Sequence, residues 1–154
     1  MANYMQQTLS ESIQLNGVGL HTGVKVSMNI KPAEVDSGIK FKRTDIESFK
    51  NVIDANYKNV ISPILCTKIQ NSHGVSVTTI EHLMAAFYGE GGDNAIVEID
   101  GPEVPIMDGS AFDFVESIRE AGIQEQSFSK KIIKVLKKIE IKEGSKFISI
   151  EPCE

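Results

Sequence analysis

The sequence predicts a two-layer α+β sandwich, in which two helices cover one face of a mostly antiparallel sheet of about five strands. Several segments alternate apolar and polar residues with the two-residue period of a half-buried strand. Two other segments carry apolar residues along one side only, at helical spacing. Helices of that kind must bury their apolar side against a single sheet face, and this arrangement defines the two-layer class.

The predicted strands are separated by turns rich in Gly, Asn and Pro. Segment 94–99 has an apolar middle and is expected to be central in the sheet. Residues 71–74 have Asn and Gly where a hairpin turn favours them. Two prolines in 102–107 forbid a helix there and disfavour a central strand. The extended segments are 6–15, 24–30, 39–43, 52–54, 64–69, 94–99, 131–142 and 145–151.

Two helices are predicted, at 78–87 and 111–121. The first begins with the sequence TTIE at 78–81, which fits a capping box in which the glutamate bonds back to the cap residue. Glycines at 89–92 end it. For the second helix, Asp108 is expected to cap the N-terminus and to shape the loop before it. Its apolar stripe comprises Ala111, Phe114, Val115, Ile118 and Ala121.

Composition and net charge limit the classes of protein to which this chain can belong. The chain has 154 residues, of which 41% are hydrophobic and 24% charged, as in globular proteins. It has no apolar run near the ~20 residues of a membrane helix and no signal peptide, so we expect a soluble, cytoplasmic protein. The net charge of -5 argues against nucleic acid as a partner. Cys66 and Cys153 form neither a disulfide framework nor a CxxC metal site.

The charge is distributed unevenly along the chain. Residues 130–154 contain seven Lys and four Glu, a balance of +3, which leaves -8 for residues 1–129. The last two extended segments form a hairpin with no later element to cover its apolar residues, and an isolated hairpin is marginally stable at best. It either joins the first sheet or begins a second domain. The charge change favours a first domain at 1–129 and a second that starts at 130.

The adjacent residues Glu81 and His82 are the candidate site. At about 100° per residue, Ile80, Leu83 and Phe87 share the apolar face of the first helix, and His82 lies away from it. His82 is therefore either an exposed helix residue or a ligand that faces a cleft. Glu81 has the capping box as its alternative role.

A glutamate beside a histidine suits metal-dependent hydrolysis. A neutral imidazole binds Zn²⁺, and an adjacent carboxylate can act as a general base. Zinc needs further protein ligands, and neither His21 nor His73 has ligand spacing to His82. On the residues alone, a catalytic zinc site is incomplete within this chain.

Four motifs occur in one order along the chain: GVGLHTG at 17–23, LCT at 65–67, TIEHL at 79–83 and PIMDGSA at 105–111. In order and spacing they resemble the N-terminal part of the UDP-3-O-acyl-N-acetylglucosamine deacetylase family, the zinc enzymes of lipid A biosynthesis. The resemblance covers essentially the whole chain. Several long motifs in one order are more specific than any single motif.

The resemblance implies two domains, each like ribosomal protein S5 domain 2, with the active site between them. This chain then holds the first domain and, at 130–154, the opening hairpin of the second. The implied function is zinc-dependent removal of the N-acetyl group from UDP-3-O-acyl-N-acetylglucosamine, the committed step of lipid A biosynthesis, with this chain alone inactive. The alternative is a non-catalytic S5-like α+β module that binds RNA or protein.

The resemblance also assigns residues. Glu81 matches the general base and His82 matches one zinc ligand, while the other two ligands belong to a His-x-x-x-Asp pair on a second-domain helix. His21 is equally a substrate contact or a surface turn residue, and Cys66 equally an active-site residue or a buried thiol. The substrate-binding residues that the resemblance implies are His21, Leu65, Cys66 and Thr67.

The implied metal is Zn²⁺, although the same ligand types accept Fe²⁺. The expected partner is the UDP-linked acyl sugar, without nucleic acid. Any membrane contact would be peripheral, supported only by the lysines between 130 and 142. We expect the full-length protein to be a monomer.

Overall fold

The computed structural model describes residues 5–62 and 64–153, which contain two α-helices and twelve strands. The helices are α1 (Glu81–Glu90) and α2 (Phe112–Ala121), and a 3-10 helix covers Tyr57–Asn59. The strands are β1 (Met5–Leu9), β2 (Ile13–Val18), β3 (Lys25–Pro32), β4 (Ile39–Arg43), β5 (Val52–Asp54), β6 (Val60–Ser62), β7 (Lys68–Gln70), β8 (Ser76–Val77), β9 (Ala95–Ile99), β10 (Ile123–Ser129), β11 (Ile139–Glu143) and β12 (Lys146–Ile150).

The main sheet has five strands in the order β2-β3-β9-β4-β5. β3 is antiparallel to both β2 and β9, and β4 is antiparallel to β5. The pairing of β9 with β4 is parallel. The prediction of a mostly antiparallel sheet with 94–99 at its centre is therefore confirmed.

One hydrophobic core joins the sheet to both helices. Along β4, Ile39 and Phe41 are buried while Lys40 and Lys42 are half-buried, as the two-residue period requires. Phe87 of α1 and Phe114 and Ile118 of α2 complete this core and are at most 1% exposed. The α+β sandwich and the apolar stripe of α2 are confirmed.

Three smaller sheets surround the main one: β1-β10, β6-β7-β8 and the hairpin β11-β12. The prediction of one extended segment at 6–15 is wrong, because the chain turns after Leu9 and β1 pairs with β10 instead of joining β2. The sequence did not predict β10, whose residues lack a clean alternation of buried and exposed positions. The hairpin turn at 71–74 is confirmed, with Gly74 at φ +80°.

The predicted strand at 64–69 is wrong over its first four residues. Strand β7 begins only at Lys68. Leu65 has φ +65°, a left-handed conformation that a continuous strand cannot contain. Residues 64–67 therefore form a loop that leads into β7 rather than part of the strand.

Both predicted helix caps are wrong. The capping box does not form, because α1 begins three residues later than predicted, without a side-chain cap, and the Thr78 hydroxyl donates to the carbonyl of Pro102 instead. At α2, Asp108 accepts hydrogen bonds from the N–H and hydroxyl of Ser110. The Ser110 hydroxyl in turn accepts from the N–H of Phe112, so Asp108 shapes the loop before the helix.

The hairpin predicted near the end of the chain is present, but its first strand starts at Ile139 rather than near 131. The cross-strand pairs Ile139–Ile150 and Ile141–Ile148 lie on the same face, and all four side chains are exposed. Across residues 5–62 and 64–153, neither helix has the length and apolar character needed to span a bilayer.

On β9, the carboxylate of Glu98 lies 2.6 Å from the Lys31 ammonium and 3.0 Å from that of Lys42. Hydrogen bonds from these lysines hold the pKa of Glu98 below its usual range. A carboxyl whose pKa is lowered by folding contributes stability above its unfolded pKa of about 4.3, and this contribution is lost as the pH falls through the folded pKa.

We therefore expect Glu98→Gln to reduce the acid sensitivity of the fold. The free energy of unfolding, measured by urea titration at about pH 6 and about pH 3, should fall less in the variant than in the wild type. Glu116→Gln, on the exposed side of α2, is the control and should keep the wild-type pH dependence. Equal acid sensitivity in Glu98→Gln and the wild type would contradict the assignment.

Candidate active site at the beginning of the first helix

Glu81 and His82 are the first two residues of α1. Both side chains are half-buried, whereas Ile80 and Leu83 on either side of them are buried in the core. The prediction that His82 lies off the apolar face is confirmed. Thr79, just before this turn, has φ +59°, so the chain enters the helix through a left-handed residue.

A backbone hydrogen bond fixes the Glu81 carboxylate. Its Oε2 atom accepts the N–H of Thr67 at 2.9 Å. The left-handed Leu65 belongs to the same short loop, and its side chain is 87% exposed. Cys66, between them, is half-buried. The structure thus brings the 65–67 motif against Glu81, but through the backbone N–H of Thr67 rather than through its side chain.

Asp108 lies within electrostatic reach of His82. Hydrogen bonds from the N–H and hydroxyl of Ser110 hold the pKa of Asp108 below its usual range, and a smaller electrostatic interaction with His82 acts in the same direction. Carboxylates near a metal-binding imidazole commonly orient it. The sequence assigned Asp108 to the cap and the loop of the second helix, and nothing local to its motif indicated an interaction with His82.

The side chains around His82 suit one ligand position of a metal site. A half-buried imidazole in the first turn of a helix, next to Glu81 in sequence and in electrostatic interaction with Asp108, has the chemistry of a zinc ligand. Within 5–62 and 64–153, no cluster of three or more His, Cys, Asp or Glu side chains is placed to hold a metal ion. His73 lies in the turn between β7 and β8, where its N–H donates to Asn71.

His21 lies in the glycine loop between β2 and β3, with its side chain exposed. Its N–H donates to both carboxylate oxygens of Glu103, at 3.0 and 3.2 Å, and Thr22 donates to Glu103 through its N–H and its hydroxyl. Glu103 is fully buried. Burial alone raises the pKa of Glu103, but the hydrogen bonds from His21 and Thr22 outweigh it and lower the pKa overall. The sequence did not single out Glu103.

The glycines of this loop are needed for close approach and for backbone conformation. A Cβ at Gly19 would lie 2.4 Å from the Oε2 atom of Glu103, and Gly23 has φ +65°. A Cβ at Gly17 would lie 2.7 Å from Pro105. The 17–23 and 105–111 motifs are therefore packed against each other.

The four motifs thus meet in two linked contacts. The 65–67 loop holds Glu81, and the 105–111 segment brings Asp108 near His82 while it packs against the glycine loop. Segments that are distant in sequence come together around the first turn of α1.

The sequence profile of the UDP-3-O-acyl N-acetylglycosamine deacetylase family matches residues 6–154. The chain belongs to this family. The UDP-3-O-acyl-N-acetylglucosamine deacetylase of Shewanella halifaxensis is 48% identical over 147 residues, and those of Actinobacillus succinogenes and Mannheimia succiniciproducens are 46% identical. Each alignment covers 96% of this chain and 48% of the relative, so the chain spans about half the length of the curated deacetylases it matches.

Gly19→Ala tests the close approach of the glycine loop to Glu103. We expect a loss of about 1–3 kcal/mol in the free energy of unfolding, because the added methyl group overlaps a carboxylate that several donors hold in place. Urea unfolding measures the change.

Gly89→Ala is the matched control. Gly89 lies within α1 with open space around its Cα, so the same substitution should be neutral or stabilising by up to about 1 kcal/mol. If Gly19→Ala were as stable as Gly89→Ala, the loop would not be packed as described.

Proposed function

We propose that the protein to which this chain belongs is a zinc-dependent hydrolase that removes the N-acetyl group from UDP-3-O-acyl-N-acetylglucosamine in lipid A biosynthesis. The observation that carries the proposal is the Glu81–His82 pair at the beginning of α1, with Glu81 held by the N–H of Thr67. The family match supports this hydrolase over the non-catalytic module.

Glu81 is the proposed general base. One carboxylate oxygen is occupied by the Thr67 N–H, and Oε1 has no hydrogen-bond partner within the described part of the chain. Glu81 takes the proton of the water that adds to the acetyl carbonyl, and a proton then reaches the nitrogen as the C–N bond breaks. Acetate leaves and the amine remains on the sugar.

His82 is the proposed metal ligand in this chain. Its half-buried imidazole and the nearby carboxylate of Asp108 support this role. A bound zinc ion supplies Lewis-acid polarisation of the amide carbonyl and activation of water. Fe²⁺ suits the same ligand types. We propose that the remaining ligands are the His-x-x-x-Asp pair of the other half of the protein.

His21, Leu65, Cys66 and Thr67 are the proposed substrate contacts. The exposed apolar side chain of Leu65, presented by a left-handed residue beside Glu81, supports its part in this set. The backbone of His21 is fixed while its side chain is exposed, which suits a polar contact to a ligand. Cys66 is half-buried beside Leu65, which places part of its side chain at the surface of the same loop.

We also propose that residues 1–129 form one S5-like domain and that 130–154 begin a second. The exposed apolar face of the β11-β12 hairpin supports a covering segment outside this chain. The net charge of -5 supports a protein without nucleic-acid partners. We further propose that the full-length protein is a cytoplasmic monomer with at most peripheral membrane contact.

Two substitutions in the full-length protein separate the proposed roles. Glu81→Ala should lower kcat by roughly 10²–10⁴-fold and leave bound zinc unchanged, because it removes the base and no ligand. His82→Ala should lower the zinc content itself. Turnover of the UDP-linked acyl sugar and elemental analysis are the measurements.

The controls are Glu116→Ala and His73→Ala, which remove the same kinds of side chain from α2 and from the β7-β8 turn. Both should retain wild-type turnover and zinc. A near-normal kcat in Glu81→Ala would show that another group takes the proton.

The chain of residues 1–154, studied alone, should show no deacetylase activity and only weak zinc binding. One protein ligand cannot compete with water and buffer for the metal. Calorimetric titration with zinc, beside the full-length protein as a positive control, measures this. Tight stoichiometric binding that disappears in His82→Ala would contradict the expectation.

A further inference from the structure

The buried carboxylate of Glu103 has a second set of contacts besides the glycine loop. Its Oε1 atom accepts a hydrogen bond from the hydroxyl of Thr79 at 2.8 Å. Thr79 is 2% exposed and has φ +59°, two residues before Glu81. One carboxylate is therefore shared by the loop that carries His21 and by the turn that leads into α1.

We propose that Glu103 is a positioning residue that fixes the glycine loop, and with it His21, relative to the Glu81–His82 turn. This inference rests on the proposed function, in which His21 contacts the substrate and Glu81 acts as the general base, so that their relative position affects catalysis. The role is distinct from the general-base and metal-ligand roles, since Glu103 is fully buried and acts through its neighbours.

The backbone around Glu103 is hydrogen-bonded to the segment that leads into α1. The N–H of Thr78 donates to the carbonyl of Pro102 at 3.0 Å, and the N–H of Val104 donates to the carbonyl of Thr78 at 3.1 Å. Residues 102–104 are thus bonded to the chain that enters α1. The Glu103 side chain extends from this pair of segments to the glycine loop.

The loop is held mainly through the carboxylate charge. The N–H of His21 and both the N–H and hydroxyl of Thr22 donate to it, and hydrogen bonds to a charged acceptor are stronger than neutral ones. If the loop moved away from α1, a buried ion would lose most of its donors, which is strongly unfavourable. Gly19 permits the approach, because a Cβ there would lie 2.4 Å from the Oε2 atom.

The left-handed conformation of Thr79 points to the same role. Non-glycine residues adopt such conformations only where the surroundings enforce them. The hydrogen bond from the Thr79 hydroxyl to Glu103 is one such enforcing contact. The charge of Glu103 therefore bears on the backbone immediately before Glu81 as well as on the loop.

The test uses the full-length protein and three variants. Glu103→Gln keeps the volume of the side chain but places amide hydrogens against backbone donors. Thr79→Val removes the hydroxyl that links Glu103 to the α1 turn, and Thr79→Ser keeps it. Glu98→Gln is the control, since it neutralises a different carboxylate, on β9, whose partners are Lys31 and Lys42 rather than the glycine loop.

Backbone amide NMR measures the coupling directly. In Glu103→Gln, the amide signals of His21 and Thr22 should shift and their hydrogen exchange should accelerate by roughly ten-fold or more. In Thr79→Val the same two signals should shift, because Thr79 and the loop donate to the same carboxylate, and Thr79→Ser should restore them. Glu98→Gln should leave them unchanged.

Kinetics gives the second measurement. With zinc content unchanged, kcat/KM should fall by roughly 10- to 100-fold in Glu103→Gln, the size expected from losing hydrogen bonds to a charged group. It should fall less in Thr79→Val and return to near the wild-type value in Thr79→Ser.

A loss of stability alone, with wild-type His21 and Thr22 signals and wild-type kcat/KM per folded molecule, would overturn the proposal. If Glu103→Gln does not fold, the comparison of Thr79→Val with Thr79→Ser decides: unchanged loop signals in both would overturn it. If the wild-type protein has no deacetylase activity, the proposed function fails, while the amide signals still decide whether Glu103 positions the loop.

Discussion

A carboxylate can be buried as an ion only where several donors surround it, and this constraint governs the region around Glu103. To supply those donors, the chain brings the glycine loop and the turn before α1 to one point. Gly19 must lack a side chain, and Thr79 must adopt a left-handed conformation. These local features, each unusual alone, have a common cause in the need to satisfy one charge. The half-buried residues of the candidate site lie around this fixed point.

The sheet contributes rigidity rather than chemistry. Its inner face and the buried sides of α1 and α2 form one core, so the first turn of α1 is attached directly to the hydrophobic core. Glu81 and His82 lie where that helix leaves the core, which leaves them accessible while their backbone is held. Precise placement of reactive groups requires rigid support of this kind.

The spacing of apolar residues along the sequence predicts most of the fold, because burial on one face of a strand or helix imposes a regular spacing. Strands β4 and β5, the central position of β9 and the stripe of α2 follow from it. What could not be predicted depends on partners distant in sequence. Strand β10 is paired with β1, which lies more than 100 residues earlier in the chain. The loop at 64–67 is held by a hydrogen bond from the N–H of its last residue, Thr67, to Glu81. Glu103 lies between two prolines, and no local sequence pattern marks it as important. The capping box matched its sequence pattern but did not form, because the Thr78 hydroxyl bonds the distant carbonyl of Pro102 instead.

The hydrogen bond between Glu81 and residue 67 uses a peptide N–H, a group that every amino acid except proline provides. Evolution can therefore vary the side chain at position 67, for instance to suit a different ligand, without loosening the carboxylate beside it. The orientation of the Glu81 carboxylate and the side chain beside it are thereby free to change independently. In protein engineering, position 67 is thus a place where the side chain can be altered with the Glu81 contact preserved, provided that proline is avoided.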